Sequence, residues 1–478
     1  MPPKRHIYLL DPKQLSPETI AVTFAKTSRS PLSFREIAAE LSDEKSSEFN
    51  EKWVVGYGHA SIAEHAVLHI ALENISRRAV EVLESNRLAS YTEKSSRYQV
   101  FSADLFYTPP ELVDHPLEKI YLRSCRDLFA AYQQALKPLE KVAHEEFPKL
   151  KDESDSAWQR RAHALALDVC RYYLPASTLA NVGMTINARA LEHAICKMLS
   201  HPLREVRELG AEIKAIAQAE VPTLIKYASE NPCLVDAHLA FANNQEEPSG
   251  NGEKSDWLEV HKVDQEGEKL VLAALLFRFG NRDFENCLQM IKKMNSSQKS
   301  DLVDSLLGKL SPHDIPLREM EYAGLTLTIT LDQGAFGELK RHRMMTLTSQ
   351  RFSTDYGYAL PKLIGIAGLE TSYRQLMEQA VDCHRHIAAE LNPDVAAYVL
   401  PHAFNRRILI DINLRAAYHL LKLRTAPGAH FAIRRVTCRI SEEIQQLFPL
   451  FAPYFTSVAN ETSNEIKEKY FIQTGNGT

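Results

Sequence analysis

The chain is short of the features that mark the commoner functional classes. Its seven cysteines, at 125, 170, 196, 233, 287, 383 and 438, are scattered over 478 residues with no Cys-x-x-Cys pair. That excludes a disulfide framework or a dithiol motif and suits reduced, mostly packing residues of a cytoplasmic protein. No run approaches the roughly 18 apolar residues that a membrane span needs. Residues 1–10 are too short and too weakly apolar to read as a secretory signal. The 18 glycines form no phosphate or dinucleotide loop, and a net charge of −5 lacks the basic excess of a nucleic-acid binder. No His, Cys or carboxylate set has metal-site spacing and no Ser-His-Asp or Cys-His pattern stands out, so neither a bound metal nor a nucleophilic triad is expected. The remainder, 45% hydrophobic and 24% charged, is an ordinary globular composition in a chain long enough for two or more domains.

What is present is one module written twice. Leu174-Pro175 is followed, twelve residues after the proline, by Asn187-Ala188-Arg189-Ala190 and then His193; Leu400-Pro401 is followed at the same distance by Asn413-Leu414-Arg415-Ala416 and then His419. Upstream, Gly58-His59-Ala60-Ser61 has a counterpart in Pro312-His313-Asp314-Ile315, which sets Arg318 in the place of Glu64. Each block leads into a strand-like run and then a helix, ending in Ser85-Asn86-Arg87 in one copy and Arg341-His342-Arg343 in the other. Conserved order and spacing over more than a hundred residues imply tandem duplication.

The stretch 243–256 (NNQEEPSGNGEKSD) has no large apolar residue and reads as a linker between a first copy, 1–242, and a second, 257–478. The tail beyond Gln473 reads as disordered. Leu325–Leu331 alternates strictly with period two inside a strand expected over 322–332, and 66–75 is its less regular partner. Helices are expected over 117–143, 157–170, 188–199, 203–226, 372–391 and 434–447. The fold class is α+β: two tandem homologous domains, each a small, mostly antiparallel sheet packed with long helices.

Alone, the polar residues allow two readings. Arg341-His342-Arg343 could be a solvated basic helix end, or a bidentate partner of phosphate or a polarised carbonyl. Glu93-Lys94-Ser95-Ser96-Arg97-Tyr98 could be an exposed turn or a small phosphate nest.

Together the motifs resemble the flavin-dependent thymidylate synthases. That family carries an Arg-His-Arg followed by a Glu-x-Ser-x-Arg-Tyr segment, an upstream His-x-Ser/Thr-x-x-Glu-His, and a downstream Asn-x-Arg-Ala-x-x-His-x-x-x-Leu-Arg. Here the upstream element is His59-Ala-Ser61-Ile-Ala-Glu64-His65, and Arg87 precedes Glu93-Lys-Ser95-Ser-Arg97-Tyr98. The downstream element is complete in the second copy, from Asn413 to Leu423-Arg424.

The resemblance implies a nucleotide site shared between two subunits, one giving the first Arg of Arg-His-Arg and the Arg closing the downstream motif. The other gives Glu-x-Ser-x-Arg and an Arg three residues before Leu-Pro. The second copy keeps the first set as Arg341 and Arg424, where the first copy has Ser85 and Lys197 or Met198. The first copy keeps Glu93, Ser95, Arg97 and Arg171, where the second has Ser349, Arg351, Ser353 and Ala397. Complementary losses fit one composite site per chain, a chain that is a pseudo-dimer, and a homodimer that is a pseudo-tetramer.

By resemblance the activity is reductive methylation of dUMP or a related pyrimidine nucleotide. FAD is the cofactor, NADPH the reductant and methylenetetrahydrofolate the one-carbon donor. Arg424 would stabilise the uracil anion catalytically. Glu338, Arg341, Glu93, Ser95, Arg97 and Arg171 would bind the nucleotide. His59, Ser61, Arg341, His342, Arg343, Glu93, Asn187, Arg189, Asn413, Arg415 and His419 would bind the flavin. Glu338 stands where the family usually has Gln, and a carboxylate there repels phosphate unless Arg171 or Arg97 lies between. That departure leaves open a modified pyrimidine substrate, or a catalytically silent flavin- or nucleotide-binding protein on the same scaffold.

Overall fold

The structure is a computed structural model that describes all residues except 1–7, 9, 29, 57–59, 243–255, 312 and 473–478. His59, nearly all of the expected linker and the tail therefore lie outside the described residues.

Each copy builds one antiparallel sheet with the same core topology. In the first, β1 (Val67–Ser76), β2 (Ala89–Glu93) and β3 (Leu179–Asn187) run in the order β1-β3-β2. In the second, β4 (Leu258–Val263), β5 (Gly324–Asp332), β6 (Thr346–Ser349) and β7 (Asn405–Asn413) run in the order β4-β5-β7-β6, the same arrangement with one edge strand added. The alternation in β5 buries Leu325, Leu327, Ile329 and Leu331 and turns its threonines to the other face.

The strand register corrects one correspondence expected above. Val67 lies opposite Asn187 and Gly324 lies opposite Asn413, so Glu64 matches Glu321 and not Arg318. The carboxylate is thus retained: Arg189 pairs with Glu64, and Arg415 with Glu321 at 2.9 Å. A bulge between Leu72 and Ile75, with Asn74 at φ 57°, moves the register by one residue further along.

The helices after the central strands begin at equivalent caps. Asn187 Oδ1 accepts from Ala190 N, and Asn413 Oδ1 from Ala416 N, both at 2.9 Å, a side-chain cap on an otherwise orphaned amide. These start Ala188–Leu199 and Leu414–Arg424. The helix expected over 203–226 spans Arg204–Glu220; it stops ahead of Pro222, which disfavours the helical conformation in the residue before it.

By internal contact the chain divides into two compact units, 1–94 with 106–115 and 177–249, and 95–105 with 116–176 and 250–478. The second unit therefore contains the first copy's long helices, Glu118–Glu146 and Asp155–Cys170, alongside the second copy's Glu370–Glu390. Tyr173 and Tyr373 meet edge-on at 5.0 Å in its core. Here the two Leu-Pro motifs pair: Ala176 N donates to Leu400 O and His402 N to Leu174 O, each at 2.9 Å. That reciprocity is the local mark of a two-fold between repeat copies. Among the described residues no helix is long and apolar enough to cross a membrane.

Candidate functional site

The second unit gathers arginines from both copies around two buried carboxylates. Arg97 sits in the turn after β2, where Ser95 Oγ accepts its backbone N–H at 3.1 Å. Its guanidinium grips Asp168 at two points, Nε to Oδ1 at 2.7 Å and Nη2 to Oδ2 at 2.9 Å. Nη2 also donates to Gly428 O at 3.0 Å. Burial works against the Arg97 charge, but the Asp168 carboxylate outweighs it and keeps the guanidinium protonated. Burial likewise pushes the Asp168 carboxyl up, and Arg97 and Arg171 oppose that rise.

Glu338, 6% exposed, lies near the end of the short helix Gln333–Leu339 that leads into Arg341-His342-Arg343. Each of its oxygens has a cation: Oε1 takes Arg171 Nη2 at 3.3 Å and Oε2 takes Arg424 Nη1 at 3.0 Å. The repulsion expected of this carboxylate is thereby offset twice. Arg424 also donates from Nε to His342 Nε2 at 2.9 Å. Arginine has no acceptor, so Nε2 is bare and the imidazole is neutral. Burial, with Arg424 and His419 beside it, takes the His342 pKa down to about 3. Burial also lowers the Arg424 pKa; Glu338 opposes this, and Arg341 and Arg97 add to it. Arg97, Arg341, Arg424 and Glu338 thus lie within one electrostatic neighbourhood.

His430, fully buried, holds the loop that Arg97 touches. Its Nδ1 accepts from Ala432 N and its Nε2 faces Asp168 O, both at 3.2 Å. An amide can only donate, so the ring proton is on Nε2 and points at the Asp168 carbonyl.

Glu93 belongs to the first unit and pairs there with Arg77 at 2.5 Å. Ser61 lines a cavity of about 460 Å³ in that unit, with Phe24, Phe49, Trp53, Ile62 and His65. The side-chain oxygens of Asn187 and Asn413 are spent on helix caps, and Arg189 and Arg415 on Glu64 and Glu321. His419 is exposed, with its ring 5.8 Å from that of His342. Arg341 is exposed and Arg343 half-buried in the turn before β6.

At the equivalent places in the first copy, Met198 is fully buried and Lys197 reaches Ser85 Oγ. Asp168, His430 and Arg77 were not anticipated from the sequence. Asp168 had a signal: it lies six residues before Leu174, as Asp394 lies six before Leu400. The structure pairs Asp394 with Arg351 at 3.4 Å.

A chain with this twice-built sheet and arginine cluster can be set against known proteins. Residues 10–223 and 259–450 each match the family model described as Thymidylate synthase complementing protein. The chain belongs to that family, the flavin-dependent thymidylate synthases, in tandem-duplicated form. It is 30% identical over 440 residues to a UPF0159 protein of Chlamydia pneumoniae, covering 88% of this chain and 82% of that one. It is 29% identical over 219 residues to a flavin-dependent thymidylate synthase of Clostridium tetani, covering 45% of this chain and 82% of that enzyme. The solved ThyX of Helicobacter pylori, complexed with FAD and dUMP, aligns at 18% identity with a TM-score of 0.32 over 45% of this chain and 96% of that one.

Proposed function

We propose that the chain binds a pyrimidine deoxynucleotide monophosphate at the arginine cluster of the second unit and methylates its base reductively with FAD. The observation that carries this reading is the convergence of Arg97, Arg171 and Arg424 on two carboxylates, each contact between 2.7 and 3.3 Å. The guanidiniums of Arg97, Arg171 and Arg424 outnumber the Asp168 and Glu338 carboxylates that they touch. A phosphate monoester is an anion suited to that cationic setting.

In this reading Arg97 and Arg171 take phosphate oxygens, each already fixed by a carboxylate and so ordered before binding. Arg424 faces the base and stabilises negative charge on the pyrimidine as it develops. Neutral His342 holds the plane of Arg424 without adding a competing cation. Glu338 tempers the cluster and spaces Arg171 from Arg424.

The cofactor fit rests on the cavity about Ser61, whose aromatic walls (Phe24, Phe49, Trp53) and volume of about 460 Å³ suit a ring system. Ser61 would hold a flavin ring there. Bound FAD would supply the reducing electrons, drawn from NADPH, for a one-carbon unit from methylenetetrahydrofolate. The assembly expected is a homodimer of tandem chains.

One observation favours a second reading, a binding protein without turnover: Arg97 and Arg424 are both engaged by internal carboxylates. The test is tritium release from 5-tritiated dUMP, with NADPH and methylenetetrahydrofolate, alongside flavin absorbance and dUMP affinity. Release that Arg424→Ala abolishes supports the enzyme. Flavin and dUMP bound without release supports the silent binder, and colourless protein with no affinity for dUMP defeats both.

A further inference from the structure

Asp332 has no part in the reading above, yet it lies beside the cluster. It ends β5 and caps the helix that carries Glu338, its Oδ1 accepting from Ala335 N at 2.8 Å. Two residues on, Gly334 leaves a notch. A Cβ there would stand 3.0 Å from Asp332 Oδ1 and 3.3 Å from both Nε and Nη2 of Arg171. Carboxylate and guanidinium therefore border the same space that the missing side chain vacates, with no hydrogen bond or ion pair between them. Arg171 is 4% exposed and spends Nη2 on Glu338, while its Nε is buried without a hydrogen-bond partner.

The duplication supplies an internal control. By strand register the first copy has Ser76 for Asp332 and Arg78 for Gly334, and the second copy has Ala397 for Arg171. Ser76 caps its helix too, accepting from Ala79 N at 3.0 Å, and its own N–H and hydroxyl go to Glu205 at 2.8 and 2.6 Å. Capping alone therefore needs neither a carboxylate nor a notch. The carboxylate and the glycine occur together in the copy whose helix faces Arg171.

We propose that Asp332 and Gly334 form a positioning device for Arg171: the carboxylate attracts the unpartnered Nε edge of the guanidinium electrostatically across the glycine notch, so that Nη2 stays on Glu338 and Glu338 stays on Arg424. Asp332 is a positioning residue that touches no ligand. The groups facing it are Arg171 and Tyr172 from the turn before Leu174, Tyr373 from Glu370–Glu390, and Arg435 from Phe431–Leu447. Burial raises its pKa to about 6, against the Ala335 amide and Arg171. The hold is therefore present above that pH and is lost as pH falls through it.

Asp332→Asn keeps a good capping side chain and removes the charge. Gly334→Ala keeps the charge and fills the notch. The first readout is phenylglyoxal labelling of Arg171, followed by peptide mass spectrometry and normalised to the exposed Arg123. In the parent protein the normalised rate should rise as pH drops through about 6. In Asp332→Asn it should be high and flat, and in Gly334→Ala it should be raised at pH 7 as well. A rate and profile unchanged by both substitutions overturns the proposal.

The second readout rests on the proposed function: dUMP affinity at pH 7 should weaken about tenfold in Asp332→Asn, as for loss of one charge-assisted contact. In an Arg171→Ala background the same substitution should change nothing further. If the parent binds no dUMP but the labelling pattern appears, the nucleotide reading fails and the positioning device stands.

Discussion

Glu338 stands between Arg171 and Arg424, 3.3 Å from one and 3.0 Å from the other. Their contribution to anion binding is thus held in check by an internal anion. Glu338→Gln keeps the shape and removes the charge. We expect the variant to bind dUMP or inorganic phosphate about tenfold more tightly, with a steeper loss of affinity as salt is raised. It should lose about 1–3 kcal/mol of stability, because two buried cations have lost a charged partner. Calorimetric titration at two salt concentrations and urea unfolding check both parts. Weaker binding would mean that Glu338 itself contacts the ligand.

His342 contributes through its neutral form. Its pKa falls from the ordinary 6.5 to about 3 on folding, so the unfolded chain binds the extra proton first. Stability from this group is therefore present above about pH 6.5 and drains as pH falls toward 3. His342→Gln offers a side-chain oxygen to Arg424 and cannot titrate. The difference in unfolding free energy between parent and variant should change in the variant's favour through that window. A constant difference from pH 7 to pH 4 would show that His342 is already protonated or that Arg424 does not depend on it.

Much of the fold was legible because short-range rules governed it. The alternation in Leu325–Leu331, the asparagines before Ala188 and Leu414, and the doubled Leu-Pro motif each point to an element present in the structure. The arginine and carboxylate cluster was legible only in part. Arg97, Arg171, Glu338 and Arg424 could be named from motifs, but their carboxylate bridges depend on helices that pack across the repeat, which no local pattern encodes. The match of Glu64 to Glu321 was missed because spacing counted from His59 and His313 runs three residues off the strand pairing. The importance of Gly334 is a matter of space beside Arg171, visible only once both are placed.

The two copies should differ in cofactor binding. Ser85 and Lys197 contact one another where the second copy has Arg341 and Leu423, and buried Met198 stands in place of Arg424. Flavin absorbance against protein concentration should give about one FAD per chain, and Arg341→Ala should lower that occupancy far more than Arg87→Ala. A ratio near two, or equal effects of the two substitutions, would mean that the first copy's degenerate tripeptide still serves a flavin.

Arg97 and Asp168 allow stability and binding to be separated. Arg97→Ala removes one partner of a two-point pair and leaves Asp168, 5% exposed, without its main cation. Breaking such a pair from one side costs about 3–5 kcal/mol, most of it the penalty of an uncompensated buried charge. The same substitution removes a phosphate-binding guanidinium, so dUMP affinity should fall on the order of a hundredfold. If Arg97 only props up the fold, removing its partner as well should repair both defects. If it also holds the nucleotide, the repair should be selective: Arg97→Ala with Asp168→Ala should regain most of the lost stability in urea unfolding and none of the lost affinity. Recovery of dUMP binding in the double variant would reduce Arg97 to a structural residue and move the phosphate site elsewhere.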